Sequence, residues 1–288
     1  MSAVPRERGT PESPALGKLM HAPPVPREHG AWVMLSAPLV LGLAAAGSAP
    51  LLPTTLLAVV SLSAFMAWEP TFRVLRGRPR PGDRIWAAVL LTILAASACG
   101  LLVSGPGSGL LPLAVAGLAV GVVTGILRRV GRKRLDRTVL GEVLAVSGLT
   151  LTAPAAWVVG RGELSGAAWW LWAASTAFFA SGVVHVKTLM RCALHKSNWT
   201  RAVHRQLCGP SLLYHMLLGA AALWAATKQP QAGFWIAAAY LPVVARGLYG
   251  SVRPARRMPR LVRVGALESL YAVWFLVSAS IAARMVLP

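Results

Sequence analysis

An all-helical bundle embedded in a membrane is the fold class this sequence predicts, and three observations predict it. Of its 288 residues, 56% are hydrophobic and only 13% charged, with a mean hydropathy of +0.59. Soluble domains carry about 25% charged residues. Apolar stretches of about 20 residues, the length that crosses a bilayer as a helix, recur from residue 31 to the end. The basic residues collect in alternate connections between those stretches, as cytoplasmic loops do.

Residues 1–25 hold Pro5, Pro11, Pro14, Pro23 and Pro24 with scattered charge and no apolar periodicity. They read as a disordered cytoplasmic tail, ahead of a transmembrane helical domain over 26–288. Met20 is a second candidate start, and the tail does not have the form of a cleaved secretory signal. Nine spans follow, at about 31–48, 51–68, 85–104, 109–127, 139–159, 167–187, 209–227, 232–250 and 265–286. Spans one and two are joined by Gly47-Ser48-Ala49-Pro50, and three and four by Ser104-Gly105-Pro106-Gly107-Ser108. Span four carries Gly117, Gly121 and Gly125, a spacing that predicts close backbone packing. Pro38, Pro154 and Pro242 fall inside spans, where each removes a backbone donor and favours a kink.

The net charge of +20 would fit nucleic acid if it formed a patch. Its distribution points to a membrane instead. The tail, the second-to-third, fourth-to-fifth and sixth-to-seventh connections, and the eighth-to-ninth connection hold 26 of the 29 Lys and Arg residues. Arg161, Lys228 and Arg284 make up the rest. So uneven a split sets the N-terminus inside and, after nine crossings, the C-terminus outside. The expected location is the cell membrane, the bacterial cytoplasmic membrane in particular, with anionic lipids against the basic face and no nucleic-acid partner. Trp32, Trp68 and Trp86 at one level and Trp157, Trp169, Trp170, Trp172, Trp224 and Trp235 at the other suit the headgroup zones. Trp274 falls well inside span nine and does not fit either belt. Cys99, Cys192 and Cys208 match no zinc or redox spacing; Cys99 reads as packing, and the other two fall in or beside a cytoplasmic connection where thiols stay reduced.

Acids near hydrocarbon are the informative polar class, because a charge there needs a partner or water. Asp83 and Asp136 lie among loop arginines and read as solvated. Glu28, Glu69, Glu142 and Glu268 each sit at the cytoplasmic end of a span. Glu69 and Arg73 have the four-residue spacing of a helical ion pair. Glu142 and Glu268 have no basic residue three or four positions away, so their partners must come from other helices, in structural pairs or in a shared polar pocket. In span six, Lys187 and Arg191 are four apart, with His185 and Thr188 on an adjacent face. Two cations at a membrane edge suit an anion; the alternative is snorkelling to lipid headgroups. His29 stands beside Glu28 and Trp32. No nucleotide-binding glycine loop, Gly-x-Ser-x-Gly or His-Glu-x-x-His occurs, so no cofactor and no metal are expected.

Three segments resemble a known family. Pro26-Arg27-Glu28-His29-Gly30-Ala31-Trp32 opens span one, Trp68-Glu69-Pro70 closes span two, and Val186-Lys187-Thr188-Leu189-Met190-Arg191 closes span six. Together they resemble the YwiC-like membrane proteins, a resemblance that implies a multi-pass membrane protein and no particular activity. The topology is also similar to that of UbiA-type intramembrane prenyltransferases, which hold magnesium and a prenyl diphosphate on two aspartate-rich motifs in the loops after spans two and six. Here the first of those loops begins Glu69-Pro70-Thr71-Phe72-Arg73-Val74-Leu75-Arg76, and the second has no acid at all. A magnesium cage needs several oxygen ligands, so that chemistry is not expected.

The sequence therefore predicts a membrane protein of open activity, enzyme or not. Its cytoplasm-facing polar pocket would be drawn from Glu28, His29, Glu69, Arg73, Glu142, His185, Lys187, Arg191 and Glu268. The expected ligand is an anionic, lipid-linked or phosphorylated molecule, with Arg191 as its main contact and Lys187 beside it. Glu28, His29 and Glu69 are expected to approach that pair. A transporter of a small solute or anion, and a structural or assembly protein, are the alternatives.

Overall fold

Each apolar stretch becomes a helix because a backbone in hydrocarbon must satisfy its own N–H and C=O groups. A computed structural model describes residues 29–104, 107–130, 138–195, 198–254 and 260–287. The tail, Glu28 and Asp136 lie outside the described residues, and so does the side chain of His29. The helices are α1 (His29–Ala46), α2 (Leu51–Leu75), α3 (Asp83–Val103), α4 (Gly107–Val130), α5 (Val139–Leu149), α6 (Thr152–Arg161), α7 (Gly166–Leu194), α8 (Arg201–Lys228), α9 (Gly233–Val252) and α10 (Leu261–Val286). Among the described residues there is no strand. Among the described residues, seven stretches are long and apolar enough to cross a membrane: α2, α3, α4, α5 with α6 as one run, α7, α8 and α10.

The apolar residues face outward to an extent no soluble bundle tolerates. Val115, Leu118 and Val122 on α4 are 66%, 69% and 52% exposed, a surface suited to lipid tails. The interior is built around α7. Phe178 stacks on Phe275 of α10 with centroids 4.1 Å apart, and Tyr240 of α9 packs against both. The α1 and α10 helices run side by side in the same direction. Gly30 and Gly265, near their starts, border one cavity, while Arg284 near the end of α10 donates from Nε to the Ala44 carbonyl of α1 at 3.1 Å. The first helix therefore starts, and the last one ends, at opposite ends of the bundle, as an odd number of crossings requires.

The nine expected spans are all helical, but the fifth is in two pieces. Pro154 lacks the N–H that Thr150 would accept from in a continuous helix, and its ring would crowd that carbonyl. The chain breaks at Thr150–Leu151, and the Thr150 carbonyl accepts instead from the Ala153 N–H at 3.0 Å. Side chains complete the break. Trp172 Nε1 donates to the Ser147 carbonyl at 2.9 Å, Thr150 and Thr176 share a hydroxyl hydrogen bond at 2.7 Å, and Thr152 Oγ1 donates to the Leu35 carbonyl at 3.0 Å. Pro38 and Pro242, by contrast, sit inside unbroken helices. The Ala238 carbonyl, four residues before Pro242, takes a hydrogen bond from Trp274 Nε1 at 2.8 Å. That contact explains a tryptophan that fits no headgroup belt.

Three helices run further than the sequence predicts. The α2 helix continues through Pro70 to Leu75, α7 continues to Leu194, and α8 already begins at Arg201. Cys192 and Cys208 are consequently buried helix residues rather than loop residues. The glycine stripe of α4 is also not a close backbone contact. A Cβ at Gly117, Gly121 or Gly125 would lie 3.5 Å or more from its nearest neighbour, and for Gly121 and Gly125 those neighbours are the Trp68 and Phe72 rings of α2. A close approach to backbone falls instead between α1 and α6. A Cβ at Gly42 would stand 2.2 Å from the Ala153 carbonyl oxygen, and one at Gly160 would stand 2.5 Å from the Ala46 Cβ.

Candidate functional site

Among the described residues, the ion pairs at the arginine-rich end include two assemblies. The first is a brace among α2, α3 and α4. Arg73 donates from Nε and Nη2 to the two carboxylate oxygens of Asp83, both at 2.7 Å, and the Arg80 N–H adds a third donor to Asp83. Such a two-pronged pair fixes orientation as well as charge. Glu69 pairs with Arg73 at 3.4 Å, the expected four-residue partner, and with Arg128 of α4 at 2.8 Å. Arg128 also lies over the Trp68 and Phe72 rings. Asp83 is thus 4% exposed and held on three sides, not a solvated loop acid. The partners of Glu69 are thus Arg73 on its own helix and Arg128 of α4.

The second assembly borders a cavity of about 300 Å³ between α1, α5, α7 and α10. Its walls are mainly apolar: Val33 and Met34 of α1, Phe178, Phe179, Val183 and Val186 of α7, and Val264 of α10. Among the described residues, the charged side chains at its wall are Glu142 and Glu268. Each has a partner from another helix, as their sequence neighbourhoods require. Lys187 Nζ lies 2.6 Å from Glu142 Oε1, and Arg246 of α9 pairs through Nη1 with Glu268. Glu142 occupies the first turn of α5, where the helix dipole favours an anion; Thr138 caps that end by accepting from the Gly141 N–H. Glu268 reaches α7 because residue 182 is glycine: a Cβ there would stand 2.9 Å from Glu268 Oε2.

Behind Glu268 lies a buried polar layer. Arg246 spans between Glu268 and the Tyr271 ring, its guanidinium carbon 5.2 Å from the ring centre. Its Nε and Nη2 have no hydrogen-bond partner among the described residues. His215 of α8 is fully buried and lies against Gly247, where a Cβ would come within 2.1 Å of the ring. Its Nδ1 is 2.7 Å from the Ser211 carbonyl. A carbonyl only accepts, so the proton on Nδ1 points to Ser211. Ser251 donates to Ser211 at 3.0 Å and ties this layer to α9.

Among the described residues, the other members of the predicted set are not part of the cavity wall. His185 is buried against Gly250 of α9, and Thr188 donates to the Val184 carbonyl of its own helix at 2.9 Å. Arg191 is exposed one turn beyond Lys187, whose ammonium faces Glu142. Glu28 and the His29 side chain lie outside what is described. Arg73 belongs to the brace. Of the predicted set, Glu142, Lys187 and Glu268 come together around the cavity. Arg246 and His215 were missed as site residues. Arg246 lies within the eighth predicted span and was grouped with the loop cations, although Glu268 needed a partner from another helix. Among the described residues, no group of three or more His, Cys, Asp or Glu side chains is placed to hold a metal ion.

Helices that turn their apolar faces outward around charge-paired interior contacts define a polytopic helical membrane protein. The family model described as YwiC-like protein matches residues 25–157, and over that stretch the chain is similar to YwiC-like proteins. The match runs from the motif before α1 to Trp157 in α6, and so takes in two of the three resembling segments and Glu142. The third segment, in α7, lies beyond it. Comparison with curated proteins and with solved structures gives no match.

Proposed function

We propose that this multi-pass membrane protein binds an amphiphilic ligand in the cavity between α1, α5, α7 and α10, at the arginine-rich end taken as cytoplasmic on the charge split. One observation carries the reading. Two acids 126 positions apart in sequence converge on a single apolar-walled cavity, and each is held by a cation from a further helix. Structural pairing alone would not require that both carboxylates border the same space. The geometry also turns the expected ligand charge around. Carboxylates border the cavity, while Lys187 and Arg246 are engaged by them. A polar group rich in hydrogen-bond donors, or a cationic one, complements that wall, and the ligand's apolar part lies along Phe178, Phe179 and Val183. The exposed arginines at the rim, Arg191 among them, suit anionic lipid headgroups outside the cavity.

Transport of such a solute is the second reading, favoured by the broken α5–α6 span and by Arg246 and His215 inside the bundle. Discontinuous helices and interior ionisable groups are what alternating-access proteins use around their sites.

A blocked cavity tests the binding claim. Among the described residues, a Cβ at Gly30 meets nothing within 4 Å, so a side chain can start there, beside the cavity, without a clash at its first carbon. Native mass spectrometry of the wild-type chain is expected to show a retained amphiphile adduct, and Gly30→Trp is expected to lose it while keeping the same unfolding temperature. Equal adducts on both chains would place the ligand elsewhere.

A further inference from the structure

Cys192 and Cys208 are 16 positions apart, on the last turns of α7 and the second turn of α8, and their sulfurs are 3.5 Å from each other. Each residue is 1% exposed. What distinguishes the pair is that each thiol finds the other. A disulfide bond is about 2.05 Å long, so about 1.5 Å of closure, the scale of a side-chain rotation, separates the two states. The third cysteine, Cys99 on α3, is exposed and stands apart as an internal control.

We propose that Cys192 and Cys208 form a modifiable dithiol, which a small, neutral, membrane-permeant peroxide closes to an intramolecular disulfide joining α7 to α8. In the first step one sulfur, as thiolate, attacks a peroxide oxygen. An S–O bond forms, the O–O bond breaks, and the departing oxygen takes a proton to leave as water. The resulting sulfenic acid is already in contact with its resolving partner. The second sulfur attacks the first, the S–S bond forms, the S–O bond breaks, and the hydroxyl leaves with a proton as a second water. Two thiols lose two electrons in total, and one peroxide is reduced to two waters. The buried position of both sulfurs limits the access of peroxide and makes the first step slow. The waiting partner makes the second fast and keeps the sulfur from further oxidation. Because α7 supplies Phe178, Phe179, Val183 and Val186 to the cavity and Lys187 to Glu142, the cross-link fixes the helix that forms the cavity's central wall. The modification itself does not depend on what the cavity binds.

The test uses the full chain in lipid nanodiscs with hydrogen peroxide as the probe. Samples are acid-quenched, unfolded in detergent, and their free thiols counted with a mass-tagged maleimide. The reduced chain carries three tags. After peroxide, one tag is expected, on Cys99, with the intact mass lowered by two hydrogen atoms and a Cys192–Cys208 linked peptide after digestion. Cys99→Ala, which leaves the pair and its helices untouched, is expected to fall from two tags to none. Cys192→Ser is expected to keep both of its tags or to gain oxygen on Cys208, with no cross-link. Three tags remaining after peroxide has oxidised methionines of the same chain would overturn the proposal. Oxygen uptake on both sulfurs without a cross-link, or linkages that include Cys99, would overturn it equally.

Discussion

Arg246→Ala is expected to destabilise the protein by about 3–5 kcal/mol, the cost typical of removing one partner from a buried ion pair. The Arg246 side chain is 13% exposed and Glu268 24%, so water cannot take over the abandoned carboxylate cheaply. The loss comes from the orphan charge, not from the strength of the pair. The double change Arg246→Leu with Glu268→Leu therefore restores most of the stability, because it removes both desolvation costs and leaves a packed apolar contact. Denaturant unfolding of the detergent-solubilised chain checks both variants. A double variant at least as damaged as Arg246→Ala would mean that the arginine stabilises the fold through Tyr271 and the α8–α9 layer instead.

Gly42→Leu is expected to be nearly as harmful. Even the first carbon of a side chain at this position would lie 2.2 Å from the Ala153 carbonyl oxygen and 2.7 Å from the Ala156 Cβ. The obstacle is backbone, not the end of a flexible side chain, so α1 and α6 must separate. Overpacking of this kind costs about 1–3 kcal/mol, occasionally more. It also acts where α6 is buried all round, from Thr152 to Val159. Gly121→Ala is the matched control. Its new methyl would rest at 3.5 Å on the Trp68 ring, an ordinary contact, and its effect is expected within about 0.5 kcal/mol. Unfolding temperatures of the two variants separate the cases; similar losses would show that the α4 stripe is as tight as α1–α6.

The contrast between those two glycines shows what the sequence could and could not convey. Hydrophobic length and arginine placement made the helices and their alternation legible, because the bilayer imposes both from outside the chain. The Gly117, Gly121 and Gly125 spacing was visible but ambiguous. Spacing says that three positions share a face, not whether a backbone or a tryptophan lies across from it. The fifth span shows the same limit. Pro38, Pro154 and Pro242 look alike in sequence, yet only Pro154 coincides with a break, where Thr150, Thr152 and Trp172 are placed to satisfy the freed groups. Glu142 and Glu268 were singled out because neither had a local partner, and that reasoning needed no structure. Their partners did: Lys187 lies 45 positions from Glu142, and Arg246 lies 22 from Glu268. Four-residue spacing places Lys187 and Arg191 on one face, the pattern of an anion site. It takes the position of α5 to show that Lys187 faces an acid. Cys192 and Cys208 were read as loop residues because the apolar pattern fades before α7 ends and resumes after α8 begins.

The sign of charge that the cavity accepts tests the account most directly. The experiment places a reporter on the cavity wall with Met34→Cys, in a chain carrying Cys99→Ala and reconstituted in nanodiscs. It follows the rate of maleimide labelling with added dodecylammonium or dodecyl sulfate, amphiphiles with the same tail and opposite heads. Slower labelling with dodecylammonium and no protection by dodecyl sulfate is the predicted result, since Glu142 and Glu268 border the space beside residue 34. Protection by dodecyl sulfate alone would contradict it and return the site to the cations, with Lys187 and Arg246 turned toward the ligand and away from their carboxylates.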